Sequence, residues 1–307
     1  MRTKHRKIKT FLWISIAIAL FNCTRYNSIK NPPKGQIGIL QQPILPKSIK
    51  FFNQDVSLID IDLKERLDRE ILVNTYFQSS TSLAIKRSTR YFPIIERILR
   101  EEGVPDDFKY LCVIESNLSN VTSPTGAGGF WQFMPSTAPE YDIKITTEID
   151  ERNHLEKSTR AACQLIKKNY ALFNDWINAC AAYNRGPGGL MQDMKSQGVT
   201  HFFDTEMNPE TARYVFRIIA LKLIMENPSD YGYNISEKAC YSEIKTKEIK
   251  INKPIKNLAL WARKRGTTLK IVRVLNPWIL TNQLSSLSIP CSIAIPSNKE
   301  ELGVFKK

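Results

Sequence analysis

VIESNLSNVTSPTGAGGFWQFMP, residues 113–135, places a single acid at the end of an apolar run and a glycine-rich loop directly after it. Upstream, Pro105 and Asp106-Asp107 precede Phe108, Leu111, Cys112 and Ile114. That is a helix start, with acids at the positive end of the dipole. Glu115 then closes the helix, where the dipole's negative end and low polarity both disfavour ionisation. A carboxyl group that keeps its proton near neutral pH is what glycosidic-bond cleavage needs, because the leaving oxygen must receive a proton. Taken alone, a helix-terminal Glu is more commonly a solvated surface residue, so its neighbours must carry the argument.

Working outward, a helical pattern begins near Ile61 and continues to about Glu102, with a break expected around residues 78–82. Within it Ile94, Ile95, Ile98 and Leu99 form one apolar face, and Gly103 ends it. Later helices are predicted from Leu155 to Phe173, Trp176 to Tyr183 and Pro209 to Met225, with Asn208-Pro209 as N-cap and N1 of the last. After residue 245 the short β-branched runs Ile249–Ile251 and Ile293–Ile295 flank a helical middle. The expectation is a mainly α domain over 55–235 and a small α/β module over 245–297.

The chain has 307 residues, 42% hydrophobic and 24% charged, and a formal net charge of +14. This composition argues against wholesale disorder, and the length suggests about two domains. No apolar run reaches the roughly 20 residues of a membrane-spanning helix. The basic balance fits nucleic acid, anionic lipid or an acidic wall polymer, and does not choose among them.

Residues 1–10 carry five bases and no acid; Phe11 to Phe21 is apolar, and Cys23 follows. That is the plan of an export signal. A cysteine directly after the apolar stretch resembles a bacterial lipoprotein signal, in which the thiol is lipidated and becomes the first mature residue. Leu20-Phe21-Asn22 lacks the usual small residues before that cysteine, and a plain signal peptide or an uncleaved anchor remains the other reading. Residues 1–22 are thus expected as signal, and 23–54, with Asn31-Pro32-Pro33-Lys34-Gly35 and prolines at 43 and 46, as a flexible tether. Cys112, Cys163, Cys180, Cys240 and Cys291 have no CxxC spacing, so neither a metal nor a redox motif is expected. The first three sit in helical patterns as small core residues.

Four segments occur in order: Glu115-Ser116; Ser123 to Pro135; Ala182-Tyr183-Asn184-Arg185-Gly186-Pro187-Gly188; and Glu210-Thr211-Ala212-Arg213-Tyr214-Val215. Over roughly residues 60–230 this set resembles the family 1 lytic transglycosylases of bacterial murein, particularly their membrane-bound D branch. The resemblance implies a lysozyme-like helical bundle with a long glycan cleft. It also implies cleavage of the β-1,4 bond between N-acetylmuramic acid and N-acetylglucosamine, leaving a 1,6-anhydro end, without a cofactor. It makes Glu115 the lone catalytic acid/base and places Ser123, Gln132, Met134, Tyr183 and Asn184 at the substrate. Tyr214 resembles the tyrosine that orients the catalytic carboxyl. Phe130, Trp131 and Phe133 are read as core for at least two of the three, and the glycines at 126–129 as close-approach positions. Two-carboxylate glycosidases need a second acid; the only other one in these segments, Glu210, better suits the start of its helix.

Residues from Ile255 to Pro296 resemble a degenerate lysin-motif (LysM) module of two strands around two helices, either glycan-binding or a structural cap. The expected partners are peptidoglycan strands and, through Cys23, a membrane, with an outer-membrane anchor in the periplasm. A hydrolytic muramidase and a non-catalytic wall-binding lipoprotein are the alternatives. Nucleic-acid binding has no motif and is set aside.

Overall fold

The computed structural model describes residues 45–297. It opens with a hairpin, β1 (Ser48–Phe51) against β2 (Gln54–Ser57), antiparallel with Ile49 opposite Val56. Phe51 and Phe52 are 0% and 1% exposed, and Phe52 stacks on Phe108. This corrects the expected tether over 23–54: its last residues, from 48, are part of the folded body. Two adjacent phenylalanines bury enough apolar area to fix a short segment that prolines alone made look loose.

Helix α1 (Ile61–Tyr76) is N-capped by Asp60, whose side chain accepts from the amides of Asp62 and Leu63. It breaks at Phe77, slightly earlier than expected, and α2 runs Gln78–Glu101. Helix α3 (Phe108–Ser116) buries Phe108, Leu111, Cys112 and Val113. Its C-cap, Asn117, is left-handed at φ 52°, a conformation that asparagine tolerates better than most residues. The Asn117 amide donates to the carbonyl and hydroxyl oxygens of Ser80, and Arg87 donates to the Asn117 carbonyl at 2.8 Å. The end of α3 is thereby pinned to α2.

Helices α4 (Leu155–Phe173) and α5 (Trp176–Arg185) pack together, and α6 (Pro187–Gln197) follows at once. No helix was expected between Tyr183 and Pro209. Gly186 at φ +78° turns the chain and Pro187 opens the helix at its first position. Helix α7 (Pro209–Glu226) is capped by Asn208 as expected and lies along α1. Arg213 grips Glu70 of α1 through two hydrogen bonds at 2.7 and 3.2 Å. Phe130, Trp131 and Phe133 are all buried, as are Cys112, Cys163 and Cys180.

The C-terminal module has strands β3 (Thr246–Ile251) and β4 (Cys291–Pro296) paired antiparallel, Ile249 opposite Ile293, around α8 (Leu258–Arg263) and α9 (Leu269–Leu275). Leu258, Ala262, Val272, Trp278, Leu284, Ile293 and Ile295 form its core, which also takes in Ile149 from the helical part. That crossing is held by polar bonds. Asp150 N–H donates to the Trp278 carbonyl, and Leu280 N–H to the Glu148 carbonyl. The Glu148 carboxylate accepts from the Ser285 amide and from the hydroxyls of Ser285 and Ser288 at 2.7–2.9 Å. These bonds hold its carboxyl below the usual range.

Candidate active site

Glu115 is partly buried on the last turn of α3, and one of its oxygens, Oε1, accepts the hydroxyl hydrogen of Tyr214 from α7. Burial pushes its carboxyl up to about 7. The Tyr214 hydrogen bond and the positive charge of Arg217 pull it the other way, while Glu210 pushes it further up. Loss of solvation therefore outweighs the group's own partners. With Oε1 taken up by the tyrosine, Oε2 is the carboxyl oxygen left open to carry a proton. A cavity of about 270 Å³ opens beside the carboxyl, with Asn74, Ser80, Asn117 and Arg217 among its walls. A larger space of about 540 Å³ lies where the helical part meets the C-terminal module, near Tyr91, His154 and Trp278. Glu115 is absent from its walls, so chemistry and not volume selects the site.

The glycine-rich loop is built by its own backbone. Gly128 and Phe133 exchange N–H to carbonyl bonds at 3.0 and 3.1 Å, and Gly129 N–H reaches the Val121 carbonyl. Arg152 fastens the loop from behind. Held by Asp150, it donates through Nη1 to the carbonyls of Gly126 at 2.7 Å and Phe133 at 3.0 Å. A Cβ at Gly129, where φ is +78°, would sit 1.9 Å from the Arg152 carbonyl oxygen, and one at Gly128 would sit 2.7 Å from the guanidinium carbon. These two glycines make room for Arg152, whereas the sequence suggested approach to a sugar. Arg152 is not among the expected site residues, although the Asp150-Glu151-Arg152 stretch itself resembles the D branch of the family.

The other expected site residues divide into groups. Tyr214 touches Glu115 directly. The half-buried Tyr183 donates its hydroxyl to the Trp131 carbonyl at 2.8 Å, locking α5 to the loop. Asn184 accepts from the Thr211 hydroxyl at 3.0 Å and leans towards Glu210, tying α5 to the first turn of α7. Ser123 Oγ accepts the Ala127 amide, and the Gln132 amide donates to the carbonyls of Val121 and Gly129. Gln132 does so from a left-handed backbone at φ 50°, a strained conformation outside glycine. Both side chains shape the loop, and Met134 stands exposed on its rim. Cys23 lies outside the described residues.

The mainly helical, lysozyme-like part of the chain thus presents one partly buried carboxyl, a tyrosine bonded to it and a glycine-rich loop. Residues 92–204 match the family described as transglycosylase SLT domain, and residues 247–299 match the soluble lytic transglycosylase C-terminal LysM-like domain. The chain is homologous to membrane-bound lytic murein transglycosylase D of Escherichia coli K12, at 31% identity over 155 residues, 48% of this chain and 34% of that protein. The same values hold for the protein of that name in Escherichia coli O6:H1. The chain thus spans about a third of the length of these curated relatives. A solved structure, an inactive mutant of the lytic transglycosylase Slt from Pseudomonas aeruginosa, is similar over 49% of this chain and 26% of its own, with 20% identity and a TM-score of 0.36.

Proposed function

We propose that this protein is a peptidoglycan lytic transglycosylase that cuts between N-acetylmuramic acid and N-acetylglucosamine without water. The observation that carries the reading is the buried Glu115 carboxyl, raised to about 7 and oriented by Tyr214. An acid of that strength is half protonated near neutral pH, so it can both give and take a proton. Glu115 Oε2 donates its proton to the bridging oxygen as the C1–O bond breaks, releasing the N-acetylglucosamine 4-hydroxyl. The muramoyl 6-hydroxyl then attacks C1, and its proton returns to the carboxylate. The product is a 1,6-anhydro end, and the enzyme is restored. Digestion of purified sacculi tests this: released muropeptides should be lighter by one water than hydrolytic products. Reducing muramic-acid ends would overturn the reading in favour of a muramidase.

Tyr214→Phe removes a bond that lowers the Glu115 pKa. Activity requires the protonated acid, so it is lost as pH rises through that pKa. The basic limb of the pH–rate profile should therefore move to higher pH in the variant. Turnover at the optimum should fall about tenfold, the scale of one lost charge-assisted hydrogen bond. An unmoved limb would separate Tyr214 from the acid.

The reading extends to place and partners. The protein works in the bacterial envelope on glycan strands, and Cys23 is its lipid anchor, with the outer membrane as the proposed site. The helical part is the catalytic domain and the C-terminal module an attached LysM-like domain. Among the described residues no helix is long and apolar enough to cross a membrane. Cys23→Ala should shift the protein from the membrane pellet to the soluble fraction; continued sedimentation with membranes would point to another anchor.

A further inference from the structure

The face of α7 that carries Tyr214 continues along the cavity beside Glu115. Tyr214, Arg217 and Leu221 fall at i, i+3 and i+7 and so share one side of the helix. Tyr214 bonds to Glu115, and the other two line the cavity beside it. Of the three bases on α7, Arg213 is bidentate on Glu70, and Lys222 pairs with Asp107 and Glu226. Arg217 is half-buried yet makes no ion pair or side-chain hydrogen bond among the described residues. Among the described residues it is also the sole cation on the cavity wall, where Glu115 is the sole acid. Glu115 is committed to Tyr214 and is held towards its neutral form, so it does not satisfy the guanidinium. A planar fork of five donors, kept open beside the reacting group, matches a carboxylate better than any neutral sugar hydroxyl.

We propose that Arg217 recognises a carboxylate on the muramic-acid unit of the substrate and so selects which stretches of glycan are cut. This rests on the reading given under Proposed function. Two sources offer that carboxylate: the lactyl group of a muramic acid stripped of peptide, and an acidic residue of the attached peptide. Occupancy also has an electrostatic consequence. The groups facing Glu115 are Tyr214, Arg217 and Glu210 from α7, Tyr183 and Cys180 from α5, and Cys112 from its own helix. Among these neighbours Arg217 and Glu210 act on Glu115 in opposite directions, the base lowering its pKa and the acid raising it. A bound carboxylate cancels the positive field of Arg217 and leaves the catalytic proton held more firmly.

The test uses the full chain with Arg217→Gln and Arg217→Lys, their folding checked by thermal melting. Four glycans are compared: peptide-bearing strands with free carboxylates, the same strands after chemical amidation, peptide-free strands with the lactyl carboxylate exposed, and their amidated form. Binding is read in the Glu115→Gln background to prevent turnover, and rates are read in the active background. Arg217→Gln should weaken binding about tenfold for whichever acid form is recognised, as expected for a lost charge-assisted contact. It should leave the amidated form unchanged, and Arg217→Lys should restore part of the loss. In the parent protein the basic limb of kcat should lie above that of kcat/KM on the recognised substrate, and this gap should close in Arg217→Gln. Equal losses on acid and amidated glycan, or none on either, would overturn the proposal. Carboxylate-dependent binding without any anhydro product would instead sink the transglycosylase reading and leave the role of Arg217 standing.

Discussion

Glu115→Gln is expected to abolish murein turnover, by at least about two orders of magnitude, while making the folded protein more stable above neutral pH. The first half follows from removing a general acid whose contribution is typically 10²–10⁴-fold. The second follows from linkage. The folded-state pKa of Glu115 is raised, to about 7, above its ordinary value of 4.5. The folded state therefore holds a proton that the unfolded chain releases. Stability from this group is fully present below the unfolded pKa and is lost as pH rises from there through about 7. Glutamine keeps an acceptor for Tyr214 and never ionises, so it escapes that loss. The gain over the parent should be absent at pH 4 and grow to as much as about 3 kcal/mol at pH 8. Urea unfolding at both pH values, alongside sacculus digestion, checks the two halves separately. Retained turnover would mean another catalytic group, and a pH-independent stability difference would mean that Glu115 is not desolvated.

Gly129→Ala is expected to be the most damaging small substitution in the loop. Its φ of +78° disfavours any side chain, and the added Cβ would overlap the Arg152 carbonyl oxygen, a backbone atom that cannot swing aside. The loop or the Arg152 segment must shift, at a cost of about 3 kcal/mol or more. Gly188→Ala is the control. Nothing lies within 4 Å of its Cβ, and it falls inside the first turn of α6. There alanine should be neutral or stabilise by up to about 1 kcal/mol. Melting temperatures of the pair should therefore diverge, and turnover of Gly129→Ala should fall with its stability. A Gly129→Ala protein as stable as the parent would show that the loop is looser than its hydrogen bonds imply.

Much of this architecture is legible before folding is considered. The apolar face of Ile94, Ile95, Ile98 and Leu99, the Asn208-Pro209 start and the paired β-branched runs each state a local rule that the structure obeys. The contact between Glu115 and Tyr214 spans 99 positions, and only the resemblance to a known family made it visible. The misses share a cause. The Phe51-Phe52 hairpin, Arg152 behind the glycine loop and the free guanidinium of Arg217 are defined by what packs against them from distant segments. Local pattern carries no record of such neighbours. The helix after Gly186 was hidden by its own punctuation, since glycine and proline mark a helix start as readily as a loop.

The contacts around Asp150 bear on how the protein can be taken apart. The residue bonds through its backbone to Trp278 in the C-terminal module and through its carboxylate to Arg152, which in turn carries Gly126 and Phe133 of the loop. An unbroken chain of polar links thus runs from the C-terminal module to the glycine-rich loop. Shortening the chain to its helical part would remove the Trp278 carbonyl that Asp150 bonds to, and so loosen the Arg152 anchor of the loop from behind, while leaving Glu115 and Tyr214 untouched.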